Sequence, residues 1–218
     1  MQILEIQLLS NDIDKTERFY HHLLGLETIA KDHSTVSFSA GTSKLTFIRS
    51  DKINPFYHFA FNIPGNKISE AFSYISPKTE ILETSPSEQV ADFTTWNAKA
   101  FYFYDNNGNI LEFIARFDLD NNIRQKFDSS LILSISEIGI AVDNAAIQGE
   151  QIRSAYHFSY FEKQAPKDDF MVIGDDHGLL IFVDIQRNWF PTNKPAEKHW
   201  TKIKLEEKGR ITELVIIP

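Results

Sequence analysis

The sequence predicts an α+β protein built from repeated β-α-β-β-β modules. Stretches in which apolar and polar residues alternate, as in a half-buried strand, are followed by apolar residues at helical spacing. This order recurs along the chain, because His58 lies 53 residues after Glu5 at the same place in the next copy. A third copy begins at Leu133. Internal repetition reports on architecture more strongly than a single motif does, so we expect two complete modules, a third module and a truncated fourth.

The first module opens on a strand over residues 3–9. Apolar residues alternate there with Glu5 and Gln7, so the two sets point to opposite faces of the strand. Asp12 then provides a helix N-cap, and Gly25 provides a helix stop. The other strands of this module are predicted at residues 26–30, 35–39 and 44–49.

The second module begins with a strand over residues 57–63. His58 and Asn62 lie on its polar face, and phenylalanines lie on the other. Apolar residues at helical spacing predict a helix from Ile68 to Ile75, which Pro77 closes. Further strands are predicted near residues 80–84, 100–104 and 110–115.

The C-terminal part is predicted to be a shortened copy of the N-terminal part. The polar stretch 118–130 reads as a linker between a paired-module domain, 1–117, and a second domain, 131–218. Residues 145–156 are predicted to be the helix of the third module. The strands of the third and fourth modules are predicted from residue 133 and at residues 170–173, 179–184, 199–205 and 211–217.

Composition narrows the classes of function. The chain carries 30 acidic and 22 basic residues, for a formal net charge of −8, which argues against nucleic acid as a partner. It has no cysteine and therefore no thiolate metal site or cysteine nucleophile. No apolar run reaches the 18 or so residues of a membrane span, and the first residues do not form a basic leader. We therefore expect a cytoplasmic protein with no membrane partner.

Two segments carry a resemblance to a known superfamily. Residues 5–12, followed by Phe19-Tyr20 and Leu24-Gly25-Leu26, resemble its opening strand, helix and Leu-Gly turn. Residues 102–113, Tyr-Phe-Tyr-Asp-Asn-Asn-Gly-Asn-Ile-Leu-Glu-Phe, resemble the run that ends in its ligand glutamate, with Asn106 in place of the usual proline. This is the vicinal oxygen chelate superfamily, which includes glyoxalase I, the bleomycin and fosfomycin resistance proteins and the extradiol dioxygenases.

The resemblance implies that the modules of residues 1–117 pair, with curled mixed sheets around a cleft. It also implies metal ligands on the first and last strands of each module. Carried over position by position, these are Glu5, His58 and Glu112, whereas the fourth position falls on Thr46. Three ligands leave coordination positions open for a substrate, and nitrogen and oxygen donors suit Fe(II), Mn, Ni or Zn. The alternative is a metal-free cleft in which these are ordinary pocket residues.

Glu112 and Glu5 are the expected catalytic residues of such a site, as bases that leave the metal. Gln7 and Asn62 share the predicted concave face and are expected to bind substrate. The C-terminal lobe repeats the pattern in outline, because Glu137 corresponds to Glu5. His199 and Glu213 are its other candidates, but they lie only 14 residues apart, so we expect this lobe to pack or to dimerise.

Two further residues are candidates for substrate binding. Trp96 precedes a predicted strand and is expected either to border the cleft as a stacking surface or to pack. Arg187 belongs to the cluster Arg187–Thr192 and is suited to binding a substrate carboxylate, or to clamping the C-terminal lobe.

Two functions therefore stay open at this point. The first is a divalent-metal-dependent lyase, isomerase or dioxygenase that acts on a small molecule with vicinal oxygens. The second is a metal-free protein of the bleomycin-resistance type that sequesters an aromatic small molecule. A homodimer is compatible with both.

Overall fold

A computed structural model describes residues 1–51 and 54–218 and confirms the α+β class. The described residues form one 13-stranded mixed sheet with few helices. The strands are β1 (Gln2–Ser10), β2 (Glu27–Lys31), β3 (Thr35–Ala40), β4 (Ser43–Arg49), β5 (His58–Ile63), β6 (Ala91–Phe93), β7 (Ala98–Tyr104), β8 (Ile110–Arg116), β9 (Ser134–Val142), β10 (Phe170–Asp175), β11 (Gly178–Asp184), β12 (Thr201–Glu207) and β13 (Arg210–Ile216). The helices are α1 (Ile13–Glu17), which continues as a π-helical segment (Arg18–Leu23), α2 (Ile68–Ile75) and α3 (Ala145–Tyr156), with 3₁₀ turns at Thr94–Trp96 and Ser129–Leu131.

The helices begin where their capping residues allow. Asp12 accepts a hydrogen bond from the backbone N–H of Lys15 at the start of α1, and Asn144 does the same for Ile147 at the start of α3. His157, in the left-handed conformation, ends α3. Buried residues of all three helices belong to one apolar core with one face of the strands, and a cavity is lined from the opposite face of β5 and β8.

The module repeat is visible in the strand pairing. In each of the first three modules the first strand pairs in parallel with the last: β1 with β4, β5 with β8, and β9 with β11. Every one of these parallel pairs is joined by a connection containing a helix, as a crossover between parallel strands requires. The fourth module consists of the antiparallel hairpin β12–β13 and has no helix.

The pairing of modules differs from the expected one. β5 of the second module pairs antiparallel with β9 of the third, and β1 of the first pairs antiparallel with β12 of the fourth. Within the sheet, the described residues of the two resulting halves are joined at a single register pair, Ile3 of β1 with Ile135 of β9. The cleft expected between modules one and two therefore forms between modules two and three. Strands that precede residues 118–130, the predicted linker, pair with strands that follow it.

One predicted strand is replaced by an isolated bridge. Near residues 80–84 the structure has only the bridge between Ile81 and Phe103, and the edge strand β6 follows later. Pro86 cannot donate to a ladder and Ser87 has a positive φ of 66°, so this segment turns instead of extending. The third module shows the same loss, because a bridge from Tyr160 to Ile173 stands where a strand would be.

The core lies between the helices and the sheet and is rich in phenylalanine. Phe59 and Phe61 on β5 are fully buried and pack edge-to-face, and Phe61 meets Phe113 of β8 in the same way. The predicted packing face of β5 is thus the one that is buried against the helices. Among the described residues, no helix is long and apolar enough to cross a membrane.

Candidate metal centre

Three potential metal ligands meet at the junction of modules two and three. Ala60, in the middle of β5, is the register partner of Glu112 on β8 and of Glu137 on β9. Directly opposed residues of neighbouring strands share a face, so both carboxylates project from the same side of the sheet. His58 lies two residues before Ala60 and shares that side. One donor atom of each of the three residues lies within 4.8 Å of the others, and all three side chains are buried.

The backbone fixes the orientation of the histidine. Nδ1 of His58 lies 3.0 Å from the carbonyl oxygen of Ile110, which can only accept a hydrogen bond, so Nδ1 carries the proton. Nε2 then presents its lone pair to the carboxylates and lies 3.5 Å from Oε2 of Glu112. Burial lowers the pKa of His58 to about 4, so the ring is neutral near pH 7. A neutral imidazole held by a backbone carbonyl is the arrangement typical of a metal ligand.

The two carboxylates compete for one buried positive charge. Burial, and then the negative charge of Glu137, raise the pKa of Glu112 well above its usual range. Burial also raises the pKa of Glu137, although its ion pair with the fully buried guanidinium of Arg116 acts in the opposite direction. The cluster of two carboxylates and one guanidinium therefore keeps one excess negative charge unless a proton or a cation neutralises it.

Arg116 is itself held by a chain of polar contacts. Its Nε donates to the hydroxyl of Ser136 at 3.2 Å, and Nη1 donates to Asp176 at 3.3 Å. Asp176 in turn accepts from Lys163 at 2.5 Å, and Lys163 also contacts Asp118 at 2.6 Å. The guanidinium is thus fixed against Glu137, one of whose carboxylate oxygens lies within 4.8 Å of the donor atoms of His58 and Glu112.

This donor set fits a divalent cation. One neutral imidazole nitrogen and two carboxylate oxygens are ligands that Fe(II), Mn, Ni and Zn accept. The position on β11 that corresponds to Glu112 on β8 is taken by Ile181, which offers no donor. A cation held here would have three protein ligands and would keep its remaining positions open toward the adjoining space.

That space is a cavity of about 280 Å³ with aromatic walls. The cluster forms its floor, and six aromatic side chains line it: Phe93, Trp96, Tyr102, Phe170, Trp189 and Phe190. The ring of Trp189 lies 5.2 Å from that of His58 and rests on Gly139, where an added Cβ would come 2.4 Å from Cη2 of the indole. Tyr102 faces Glu112 from β7. Aromatic walls around a polar floor are typical of sites for small planar ligands.

Glu5 lies outside this cluster. It belongs to the other half of the sheet, where its Oε1 accepts hydrogen bonds from Thr46 at 3.0 Å and from Gln7 at 3.2 Å. Lys44 lies 3.2 Å from the same oxygen. The structure therefore does not bring Glu5 together with His58 and Glu112, because β1 pairs with β12 and not with β5. Glu137 holds the equivalent place on β9.

The expected substrate-binding residues divide in the same way. Trp96 and Arg187 both line the cavity. Gln7 accompanies Glu5 in the other half, away from the cluster. Asn62 is buried at the far end of β5, where its amide donates to Ser134 and to the carbonyl of Asp176, so it does not line the cavity.

The sequence did not place four residues in this site: Tyr102, Arg116, Glu137 and Trp189. Glu137 carried a usable signal, since it is the repeat equivalent of Glu5 on a strand that begins a module. Tyr102 lies within the quoted motif, directly across from Glu112. Trp189 lies within the cluster Arg187–Thr192, but its role and that of Arg116 depend on contacts across the junction of two modules. His199 and Glu213 lie outside the cluster, His199 near Glu197 and Glu213 in an ion pair with Lys202.

Comparison with known proteins shows likeness at the level of structure. No protein-family model matches the sequence, and no curated protein matches it. A candidate dioxygenase from Bacillus subtilis subsp. subtilis strain 168 superposes with a TM-score of 0.61 at 12% identity, over 84% of this chain and 63% of that protein. The chain thus spans less than two thirds of that dioxygenase.

Shorter structures align with about half of the chain. Lactoylglutathione lyase from Agrobacterium tumefaciens is 23% identical over 52% of this chain and 90% of its own, with a TM-score of 0.42. A variant of the fosfomycin resistance protein FosX from Listeria monocytogenes, in complex with Mn(II) and a dihydroxypropylphosphonic acid, is 20% identical over 54% of this chain and 91% of its own, with a TM-score of 0.42. The superposition on the Bacillus subtilis protein shows that, in architecture, this chain has the fold of the vicinal oxygen chelate superfamily, that of the glyoxalase, bleomycin resistance and dioxygenase proteins.

Proposed function

We propose that this protein is a divalent-metal-dependent enzyme that acts on a small molecule with vicinal oxygens, as a lyase, isomerase or dioxygenase. The observation that carries the proposal is the convergence of His58, Glu112 and Glu137 at the floor of an aromatic cavity, with donor atoms within 4.8 Å. These residues come from three strands and two modules, so the fold itself brings them together. His58, Glu112 and Glu137 replace the sequence-predicted ligand set.

Each residue has a distinct part in this proposal. A bound divalent ion would supply Lewis acidity for two substrate oxygens. His58 binds without losing a proton, because it is already neutral and its Nε2 is free of hydrogen. In its carboxylate form Glu112 would be a strong proton acceptor at the cavity floor, because burial raises its pKa, and it would serve as general base for a proton on the substrate. Arg116 holds Glu137, and the aromatic walls would contact the faces of a planar substrate.

Metal titration tests the proposal directly. Protein purified without chelator is analysed for bound metal, then stripped and titrated by calorimetry with Mn(II), Fe(II), Ni(II) and Zn(II). We expect one site per chain that is lost in His58→Ala and in Glu137→Gln. Glu5→Gln is the matched control. It removes the carboxylate that is equivalent to Glu137 in the repeat but lies in the other half of the sheet, so it should leave metal binding unchanged. Absence of a stoichiometric site, or equal loss in Glu5→Gln, would rule out this metal centre.

A metal-free binding protein is the second candidate, and the Arg116–Glu137 ion pair favours it. That ion pair neutralises one carboxylate, and the raised pKa of Glu112 allows the other to hold a proton, so the cluster reaches neutrality without a cation. Thermal unfolding with a panel of cationic aromatic molecules separates the two functions. Stabilisation that survives excess chelator, in a protein that binds no metal, would favour sequestration.

A further inference from the structure

The cavity has opposite charges at its two ends. The carboxylates of Glu112 and Glu137 lie at the floor, and the side chains of Lys167 and Arg187 line the same cavity outside the cluster. Lys167 is exposed, and Arg187 is 37% exposed in its side chain, so both belong to the mouth. A chain with a net charge of −8 thus presents two cations at the entrance to its candidate site.

Both residues contact Phe170, Lys167 through its backbone and Arg187 through its guanidinium. The backbone of Lys167 forms a bridge with Phe170, the first residue of β10. The guanidinium of Arg187 lies over the ring of Phe170, 4.8 Å from its centroid, and its Nη1 donates to Asp169 at 2.5 Å. Among the described residues, that is the one hydrogen bond of the guanidinium, and no carboxylate lies within ion-pair distance of the Lys167 ammonium. The mouth therefore keeps donors available for an anion.

We infer that the natural ligand is a single aromatic ring with vicinal oxygens on one edge and a carboxylate on the opposite edge, the carboxylate being bound by Arg187 and Lys167. The placement of the vicinal oxygens at the floor rests on the proposed function. A cavity of about 280 Å³ is near the lower end of ligand sites, which suits one ring between the aromatic walls. An arginine fixed by stacking is suited to planar, bidentate binding of a carboxylate.

Binding of three related probes tests the inference. Protocatechuate is a catechol ring with one carboxylate, protocatechuamide is its neutral analogue of the same size, and catechol lacks the substituent. Titrations use the Zn(II)-loaded protein, since zinc has no redox chemistry that would consume the probes. Fluorescence of Trp96 and Trp189, which line the cavity, reports binding, and calorimetry gives the dissociation constants.

We expect protocatechuate to bind about tenfold to a hundredfold more tightly than protocatechuamide, as charge-assisted hydrogen bonds to a carboxylate allow. The advantage should disappear in the double variant Arg187→Gln/Lys167→Gln, while the affinity for catechol stays the same. The matched control is Arg124→Gln/Lys126→Gln, which removes two exposed positive charges outside the cavity.

The outcomes separate this inference from the proposed function. Metal binding with equal affinity for protocatechuate and its amide, or an advantage that survives the double variant, would overturn the inference alone. A protein that binds no metal yet prefers protocatechuate through Arg187 and Lys167 would support the inference and overturn the metal-dependent function. Neither metal binding nor a preference would overturn both.

Discussion

Arg116 is the most informative residue to change, because it is a fully buried charge that belongs to no predicted site. We expect Arg116→Met to lower the free energy of unfolding by about 3–5 kcal/mol, the usual cost of leaving one partner of a buried ion pair uncompensated. Glu137 accounts for most of this cost, since it is almost completely buried. Asp176, the other partner of Arg116, keeps its contact with Lys163 at 2.5 Å and stays compensated.

The loss should depend on pH with a definite sign. Without Arg116 the pKa of Glu137, already raised by burial, rises further. The unfolded chain releases this proton above about pH 4.5, whereas the folded variant keeps it, so the penalty is smaller at lower pH and grows as the pH rises. Urea unfolding at about pH 5 and about pH 8 should therefore show the larger difference between variant and parent at the higher pH.

Two further variants complete the experiment. Arg116→Met/Glu137→Met removes both buried charges and should recover most of the lost stability, since apolar residues of similar volume often replace a buried ion pair at no cost. Arg124→Met, at an exposed position, should change stability by less than about 0.5 kcal/mol. The reasoning is refuted if Arg116→Met costs no more than Arg124→Met, or if the double variant is as unstable as the single one.

Three other predictions follow from the site and its support. Phe59→Ala should lower the free energy of unfolding, measured in urea, by about 3–5 kcal/mol without affecting metal affinity, because Phe59 is fully buried on the face of β5 opposite His58. A loss of metal-binding free energy larger than the loss of stability would mean that Phe59, and not His58, faces the cavity. Gly139→Ala should destabilise the protein by about 1–3 kcal/mol and shift the emission of Trp189, whose ring occupies the position of the added methyl group; unchanged emission would contradict this contact. Calorimetric affinity for Zn(II) should fall as the pH is lowered from about 8 to about 5.5, because Glu112, whose pKa is raised, takes up a proton, whereas His58, with a pKa of about 4, does not; a constant affinity would show that Glu112 is no ligand.

Most strands and helices could be predicted from the sequence, because the patterns that indicate them lie within single segments of the chain. The alternation in β5 predicted that His58 and Phe59 face opposite sides, and the structure has Phe59 in the core and His58 at the cavity floor. The helix Ala145–Tyr156 was predicted at its observed bounds. The repeat of about 53 residues predicted the modules themselves. Periods of two and of 3.6 residues are properties of single segments, so no tertiary information was needed.

Which residues come together in the site could not be predicted in the same way. Strand alternation says which face a residue occupies but not which strand lies beside it, and β5 had β1 and β9 as alternative antiparallel neighbours. Glu5 and Glu137 hold equivalent places on those two strands, so the sequence could not distinguish them. The choice depends on packing between modules. Trp189 on Gly139 and Arg116 on Glu137 are contacts of that kind, and each joins residues that no local pattern links.

Because Ala60 lies between Glu112 and Glu137 in the sheet, the metal centre depends on the register of β5 against β9. The β5–β9 ladder joins strands more than 70 residues apart, and no hairpin turn dictates its alignment, although the ladder already contains an irregularity between Ala60 and Phe61. A slip of one residue along this ladder would turn Glu137 to the opposite face of the sheet and carry Ile138 into its place. The donor set thus exists in one alignment of two distant segments, and a change that shifts the register of β5 against β9 would abolish it without touching any of its three side chains.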